Sequence, residues 1–169
     1  MDEIAIRHAT LDDAAAIADI YTQGINERIA TYETAPRTEA DIRKKLETDS
    51  ERHPTIIAEI GGAVVGWASI SLYRPRECYA GIGEFSFYID RGARGKGVGK
   101  TILQALIDEA ERLGYWKLLS RVFPFNHASL NACKKQGFRE VGVYEKHAKL
   151  DDEWLDVVII ERLIPANLT

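Results

Sequence analysis

The stretch Ile89-Asp90-Arg91-Gly92-Ala93-Arg94-Gly95-Lys96-Gly97-Val98-Gly99-Lys100 constrains this chain more than any other. It follows a run, Glu84 to Ile89, that reads as a strand. It opens into a helical pattern with apolar residues at Ile102, Leu103, Leu106, Ile107, Ala110 and Leu113. A strand, a glycine-rich loop and a helix N-terminus in that order make an anion site. The first-turn N–H groups and the helix dipole supply the attraction, and the glycines let the backbone come close to a ligand. Arg94, Lys96 and Lys100 add fixed positive charge, so the bound group is expected to be a phosphate or pyrophosphate.

Spacing excludes two phosphate loops. A P-loop ends in Gly-Lys-Ser/Thr, as Gly99-Lys100-Thr101 does, but its first glycine would fall on Arg94. A dinucleotide fingerprint started at Gly95 or Gly97 would need its third glycine at Lys100 or Ile102. Neither motif is present.

The rest of the chain favours a small anionic ligand over a polyanion. With 169 residues, 46% hydrophobic and 28% charged, it reads as one globular domain over residues 1–169. A net charge of −4 argues against nucleic acid. Met1-Asp2-Glu3-Ile4 lacks the pattern of a signal peptide and no apolar run reaches spanning length, which points to a cytoplasmic protein without membrane contact. Cys78 and Cys133 form no Cys-x-x-Cys pair and the four histidines are scattered, so neither disulfides nor a metal site are expected.

In chain order, Ile4 to Arg7 alternates as a strand, and Thr10-Leu11-Asp12-Asp13 starts a helix that runs towards Asn26. Ala30 to Thr38 has no helical period and reads as an extended loop of the kind that covers a site. A polar helix spans Glu39 to Asp49. Strands at Thr55 to Ile60 and Ala63 to Ile70 flank the hairpin turn Gly61-Gly62. After the loop Tyr73 to Tyr79 come the strand Glu84 to Ile89, the long helix and a strand at Lys117 to Val122. Asn126 opens a short helix that Gly137 ends, and strands at Phe138 to about Lys149 and Glu153 to Arg162 close the chain. Trp67, Trp116 and Phe85 read as core residues.

The loop Arg94-Gly95-Lys96-Gly97-Val98-Gly99 resembles the Arg/Gln-x-x-Gly-x-Gly/Ala pyrophosphate loop of the GNAT superfamily of acetyltransferases. The order of elements resembles theirs too. The resemblance implies an α/β (α+β) fold, a twisted, mixed, mostly antiparallel sheet of about seven strands with four helices, whose fourth and fifth strands splay apart. It also implies acetyl-coenzyme A as cofactor. More narrowly, the chain is similar to the phosphinothricin N-acetyltransferase branch and to its relatives that acetylate arsinothricin. The residues that carry this are Ala30 to Thr34 with Pro36, Tyr73-Arg74-Pro75-Arg76 with Tyr79 and Glu84, Phe123-Pro124-Phe125-Asn126, and Trp154-Leu155-Asp156-Val157.

Acetyl transfer to an amine needs a neutral nucleophile, so some group must accept a proton. Glu84 matches the carboxylate taken as general base in that branch. Backbone N–H groups at Phe87, Tyr88 and Ile89 would steady the developing oxyanion. Family pattern places the general acid seven residues after Asn126, where Cys133 stands in place of tyrosine. Cys133 is read either as that acid or as an apolar core residue. No histidine stands before the Gly-x-Trp-like turn, and His147 is offset from it.

Asn126 and Ser129 are expected at the pantetheine or pyrophosphate, and Asn126 also as a helix cap. An amino acid with a second oxyanion calls for planar guanidinium groups, which makes Arg74 and Arg76 the expected substrate contacts, with Tyr32, Thr34 and Tyr79 closing the pocket. The resemblance implies a homodimer. The leading function is acetyl-coenzyme A-dependent N-acetylation of a small amino-acid-like toxin, against a protein acetyltransferase or a non-catalytic acyl-coenzyme A sensor.

Overall fold

The adjacent residues Ile56 and Ile57, on strand β2 (Thr55–Ile60), are both buried and enter different apolar clusters. Successive strand residues point to opposite faces, so this sheet needs cover on both sides. The computed structural model describes residues 2–169 and shows two pairs of helices providing that cover. Helices α1 (Ala14–Glu27) and α2 (Glu39–Thr48) bring Ile17, Ile20 and Ile42 against Ile57 and Trp67. Helices α3 (Val98–Arg112) and α4 (His127–Lys135) bring Ile102, Leu106 and Cys133 to the cluster of Ile56, Ala68, Phe85 and Leu118.

The other strands are β1 (Ile4–His8), β3 (Ala63–Leu72), β4 (Ile82–Ile89), β5 (Lys117–Val122), β6 (Arg139–Leu150) and β7 (Glu153–Leu163). Their order across the sheet is β1-β2-β3-β4-β5-β7-β6. All neighbours are antiparallel except β4 and β5, whose parallel ladder holds only Ile82↔Lys117, Gly83↔Leu118 and Glu84↔Leu119. Beyond Glu84 the two strands part. At the closed end the Gly81 carbonyl accepts from Trp116 N at 2.8 Å and Lys117 N at 3.2 Å. A side chain on Gly81 would lie 1.9 Å from the Trp116 ring, so glycine is required there. At the open end Ser120 Oγ donates to the Phe85 carbonyl at 2.8 Å, in place of the next ladder bond. That carbonyl faces β5. Backbone polar groups of alternate strand residues point to the same side, so the N–H groups of Phe87 and Ile89 face the gap.

The element order is the expected one, with instructive shifts at the boundaries. Strand β4 begins at Ile82 rather than Glu84, because the anchored Gly81 lets Ile82 and Gly83 pair with β5. Strand β3 runs on past Ile70 to Leu72, which pairs with Gly83. Helix α2 opens on a capping box, with Thr38 Oγ1 accepting from Asp41 N at 3.1 Å and Asp41 Oδ2 from Thr38 N at 2.9 Å. Edge strand β6 is bulged between Tyr144 and Ala148, where Lys146 takes φ +46° and its N–H donates to Asp156 Oδ1 at 2.7 Å. Trp67 and Phe85 are buried as expected, while Trp116 is half-buried over Gly81. Among the described residues no helix is long and apolar enough to cross a membrane, and no group of side chains could hold a metal ion.

Helix α1 starts later than its sequence signal, after a 3-10 turn at Leu11–Asp13. Arg7 donates to both oxygens of the buried Asp13 carboxylate at 2.8 Å, and Thr10 N donates to Oδ2 at 2.7 Å. The guanidinium, and after it the Thr10 N–H, hold this carboxyl below the usual carboxylate range. A depressed value in the folded chain lends stability above the ordinary carboxylate range, which is lost as pH falls through the folded value. Asp13→Ala is expected to cost about 1–3 kcal/mol at neutral pH. It should also flatten the acid limb of melting temperature against pH, and a limb like that of the unmodified chain would mean the contact contributes nothing.

Candidate active site

Two cavities flank the parting of β4 and β5. The larger, of 410 Å³, has Glu84, Ser86 and Tyr88 of β4 on one wall and Ser120 and Arg121 of β5 on the other. Tyr32, Phe123, His147 and Val157 enclose the rest. The smaller, of 260 Å³, gathers Phe87, Tyr88 and Ile89 with Arg94, Gly95, Gly97, Val98 and Gly99 of the loop, and Asn126 and Ser129 of α4. A passage of 50 Å³ between the strands shares Arg121, Ser86 and Ser120 with the first cavity, and Phe87, Asn126 and Ser129 with the second. Tyr88 lines all three.

The smaller cavity is built by the loop. Gly95 and Gly97 take φ +79° and +83°, in the left-handed region, and Gly97 is the residue on which α3 starts. Arg94 is not free: its guanidinium donates to both oxygens of Glu27 at 2.6 and 2.7 Å, which ties the loop to α1. Arg94 in turn holds the Glu27 carboxyl below its ordinary value. Asn126 caps α4, accepting from Ser129 N at 3.3 Å, and both residues still line the cavity. Lys96 and Lys100 are exposed and lie outside the lining. A Cβ on Gly99 would find only Phe87, at 4.0 Å, so a longer side chain there would fill the cavity itself.

Around the larger cavity, the rings of Tyr21, Trp67 and Tyr88 stack with centroids 5.0–5.3 Å apart. The Tyr21 hydroxyl donates to Glu33, which also accepts from Arg37 Nε at 2.8 Å. Burial, and then the bond to Glu33, push the Tyr21 hydroxyl well above its ordinary value, and burial does the same to Tyr88. Neither ionises near neutrality. The covering loop is clasped to the β6–β7 hairpin by Tyr32 OH donating to Leu155 O at 3.0 Å and by Arg28 Nε on Asp151 Oδ2 at 2.8 Å. Glu84 is held from the facing strand by Arg121, with Nη2 3.0 Å from Oε1.

The expected site residues do not all gather at the larger cavity. Arg74, Arg76, Tyr79 and Thr34 are absent from the lining of the larger cavity. Arg74 and Arg76 are exposed and lie over the rings of Tyr73 and Tyr79 at 5.1 and 6.0 Å, and those rings meet edge to face, so the loop packs on itself. Tyr32 does line the cavity. Cys133 is 1% exposed, and burial pushes its thiol up to about 12. Cys133 packs into the core beside Phe85 and Phe138 and at the same time lines the narrow passage between the two cavities. The sequence reading passed over Arg121, although it is the one charge within Leu118-Leu119-Ser120-Arg121-Val122-Phe123. It set His147 aside, and the β6 bulge brings His147 to the cavity.

A parted mixed sheet with a glycine loop at the head of α3 places an anion site beside a gap between two strands, the arrangement of an acyltransferase. The chain matches the acetyltransferase (GNAT) family over residues 17–138 and belongs to that family. It is 32% identical to the phosphinothricin N-acetyltransferase of Alcaligenes faecalis, over 94% of this chain and 81% of that one. It is 29% identical to an L-methionine sulfoximine/L-methionine sulfone acetyltransferase of Pseudomonas aeruginosa, over 93% and 92%. The crystal structure of a phosphinothricin acetyltransferase from Sinorhizobium meliloti in complex with acetyl-coenzyme A superposes with a TM-score of 0.89 at 29% identity, covering 95% of this chain and 88% of that one. The fold is the GNAT fold and the chain is an N-acetyltransferase that uses acetyl-coenzyme A. Its own residues fit that group: the loop offers backbone donors where Gly99 leaves room, and β4 offers unpaired N–H groups along the gap.

Two outcomes follow. Gly99→Leu should weaken acetyl-coenzyme A binding at least tenfold, or about 1.4 kcal/mol, in a titration calorimeter with little change in melting temperature. Affinity left intact would move the cofactor elsewhere. With a thiol reagent at pH 8 the exposed Cys78 should label at once and Cys133 only on unfolding. Rapid labelling of both would mean that the passage beside Cys133 is open to solvent.

Proposed function

We propose that this enzyme acetylates the α-amino group of a small amino acid with a second polar head, of the phosphinothricin, methionine sulfoximine or arsinothricin class, with Glu84 as general base. The observation that carries this is the position of Glu84. It lies in the larger cavity at the last paired residue before β4 and β5 part, so its carboxylate sits where the substrate space meets the gap. The names of the relatives support the substrate class.

Bound acetyl-coenzyme A supplies an acetyl group activated as a thioester. Glu84 takes a proton from the substrate ammonium, directly or through water, and leaves the nitrogen lone pair free to attack. The N–H groups of Phe87 and Ile89, facing the gap, receive carbonyl oxygens there and steady the charge that develops on the acyl oxygen. The loop N–H groups from Gly95 to Gly99 hold the pyrophosphate at the head of α3, with Lys96 and Lys100 adding long-range attraction. No acetyl-enzyme is needed, since the amine attacks directly: the C–N bond would form as the thioester C–S bond breaks, and the coenzyme A thiolate would leave and take a proton from solvent. The clasped loop, with Tyr32 tied to the hairpin, leaves a cavity suited to a small substrate rather than an open groove for a protein chain.

The reading extends to one domain, a homodimer and a cytoplasmic setting. Two unpaired cysteines support the last. Val141, Val143 and Tyr144 on edge strand β6, each about half exposed, support pairing of two copies.

Glu84→Gln is expected to lower kcat 10²–10⁴-fold while acetyl-coenzyme A affinity stays within twofold of the unmodified protein. Coenzyme A release, followed with a thiol reagent on phosphinothricin, methionine sulfoximine and arsinothricin, is the measurement. Full turnover by this variant would remove Glu84 as base, and cofactor binding without turnover of any of the three would remove the substrate class.

A further inference from the structure

The Glu84–Arg121 pair is more than a surface ion pair, because both partners line the cavity where the amine must sit. Among the described residues of that lining, Arg121 is the one permanent cation, since Arg74 and Arg76 stand on the outer loop. A guanidinium carries five N–H donors in a planar fork, and Glu84 takes only part of that capacity. Among the described residues no other acceptor is bonded to Arg121, which lines this space and has a side chain 51% exposed.

We infer that Arg121 receives the α-carboxylate of the substrate, so that Glu84 and Arg121 together form a template for the zwitterion of a free α-amino acid. This rests on the reading of the protein as an amino-acid N-acetyltransferase. The two groups of the protein are 3.0 Å apart, and the amino and carboxylate groups of an α-amino acid, joined through one carbon, lie about 3 Å apart. Entry of the zwitterion exchanges one ion pair within the protein for two across the interface, ammonium to Glu84 and carboxylate to Arg121. No unbalanced charge is buried in the exchange. The guanidinium plane suits a bidentate carboxylate, and Tyr32, Phe123 and Val157 are left to enclose the side chain.

A plain amine or an amino-acid amide satisfies Glu84 but strips Arg121 of its partner without replacing it. Sites built to bond a polar group reject the analogue that lacks it far more strongly than apolar pockets reject a missing methylene. Arg121 therefore sets specificity for the free acid, and it excludes peptide N-termini, whose carboxylate is consumed in an amide.

The test compares methionine sulfoximine with its carboxamide in the coenzyme A release assay, for the unmodified protein and for Arg121→Gln and Arg121→Lys. The unmodified protein is expected to prefer the free acid by about 100-fold or more in kcat/KM. In Arg121→Gln that preference should fall to about tenfold or less, chiefly through a higher KM for the acid, and Arg121→Lys should regain part of it. Acetyl-coenzyme A affinity and melting temperature, measured alongside, exclude a folding defect; if Arg121→Gln melts early, Arg121→Lys decides by the same ratio. An unchanged acid-to-amide ratio, or an equal loss on both substrates, overturns the inference and leaves Arg121 as a positioning residue for Glu84. Absence of turnover by the unmodified protein on the free acid would instead overturn the proposed function beneath it.

Discussion

Everything in this structure that bears on chemistry depends on the early end of one parallel ladder. Strands β4 and β5 bond only through Glu84 and Leu119, yet both continue as strands through the core of the sheet. Unpaired backbone groups inside a protein are costly, so the parting persists only where something else answers them. Ser120 answers the first, by donating to the Phe85 carbonyl. The N–H groups beyond it are left for a ligand with carbonyl oxygens, which an acyl-pantetheine arm provides. A fully zipped β4–β5 pair would have no gap between the two cavities and nowhere to bring an acyl group to an amine.

The parting also fixes where charge can be useful. Glu84 is the last residue of β4 paired with β5, and Arg121 stands two residues beyond the matching point on β5. The strands there are still close enough for an ion pair and already far enough apart to admit a substrate. Farther along the gap the walls turn to backbone and to Phe87, and farther back the ladder closes around Gly81 and Trp116. The stacked Tyr21, Trp67 and Tyr88 form a rigid wall between the α1–α2 face and the gap, and Tyr88 places it against both cavities. The loop from Arg28 onward closes the remaining side by bonds to the β6–β7 hairpin, at Asp151 and Leu155.

How much of this was written in the sequence depends on the range of the signal. The cofactor side was legible because its determinants are local: glycines at Gly95, Gly97 and Gly99, a strand before them and an amphipathic helix after them. The element order was legible for the same reason, and the errors fall at ends such as Ile82 and Leu72, where pairing with a neighbour rather than propensity decides the boundary. The lining of the larger cavity was the least legible. Arg74 and Arg76 looked right by charge, but stacking on Tyr73 and Tyr79 holds them on their own loop. Arg121 and His147 reach the cavity only through a parallel register and a bulge, and neither leaves a local pattern. Cys133 stands where a spacing rule puts it, and its burial beside the passage comes from tertiary packing that the spacing does not show.

The same contrast bears on how enzymes of this fold divide their work. The half that binds the acyl donor uses backbone, and backbone N–H groups at a helix head bind an anion whatever the side chains around them. The half that chooses the amine uses side chains carried on β5, β6 and the covering loop, where one substitution changes which groups meet. Arg121 at the mouth of the parting lines the larger cavity and is absent from the lining of the smaller one. Chains that share the loop and the sheet can differ in their amine while keeping one acetyl donor, because the two cavities share only Ala30 and Tyr88 of their linings, beside the passage between them.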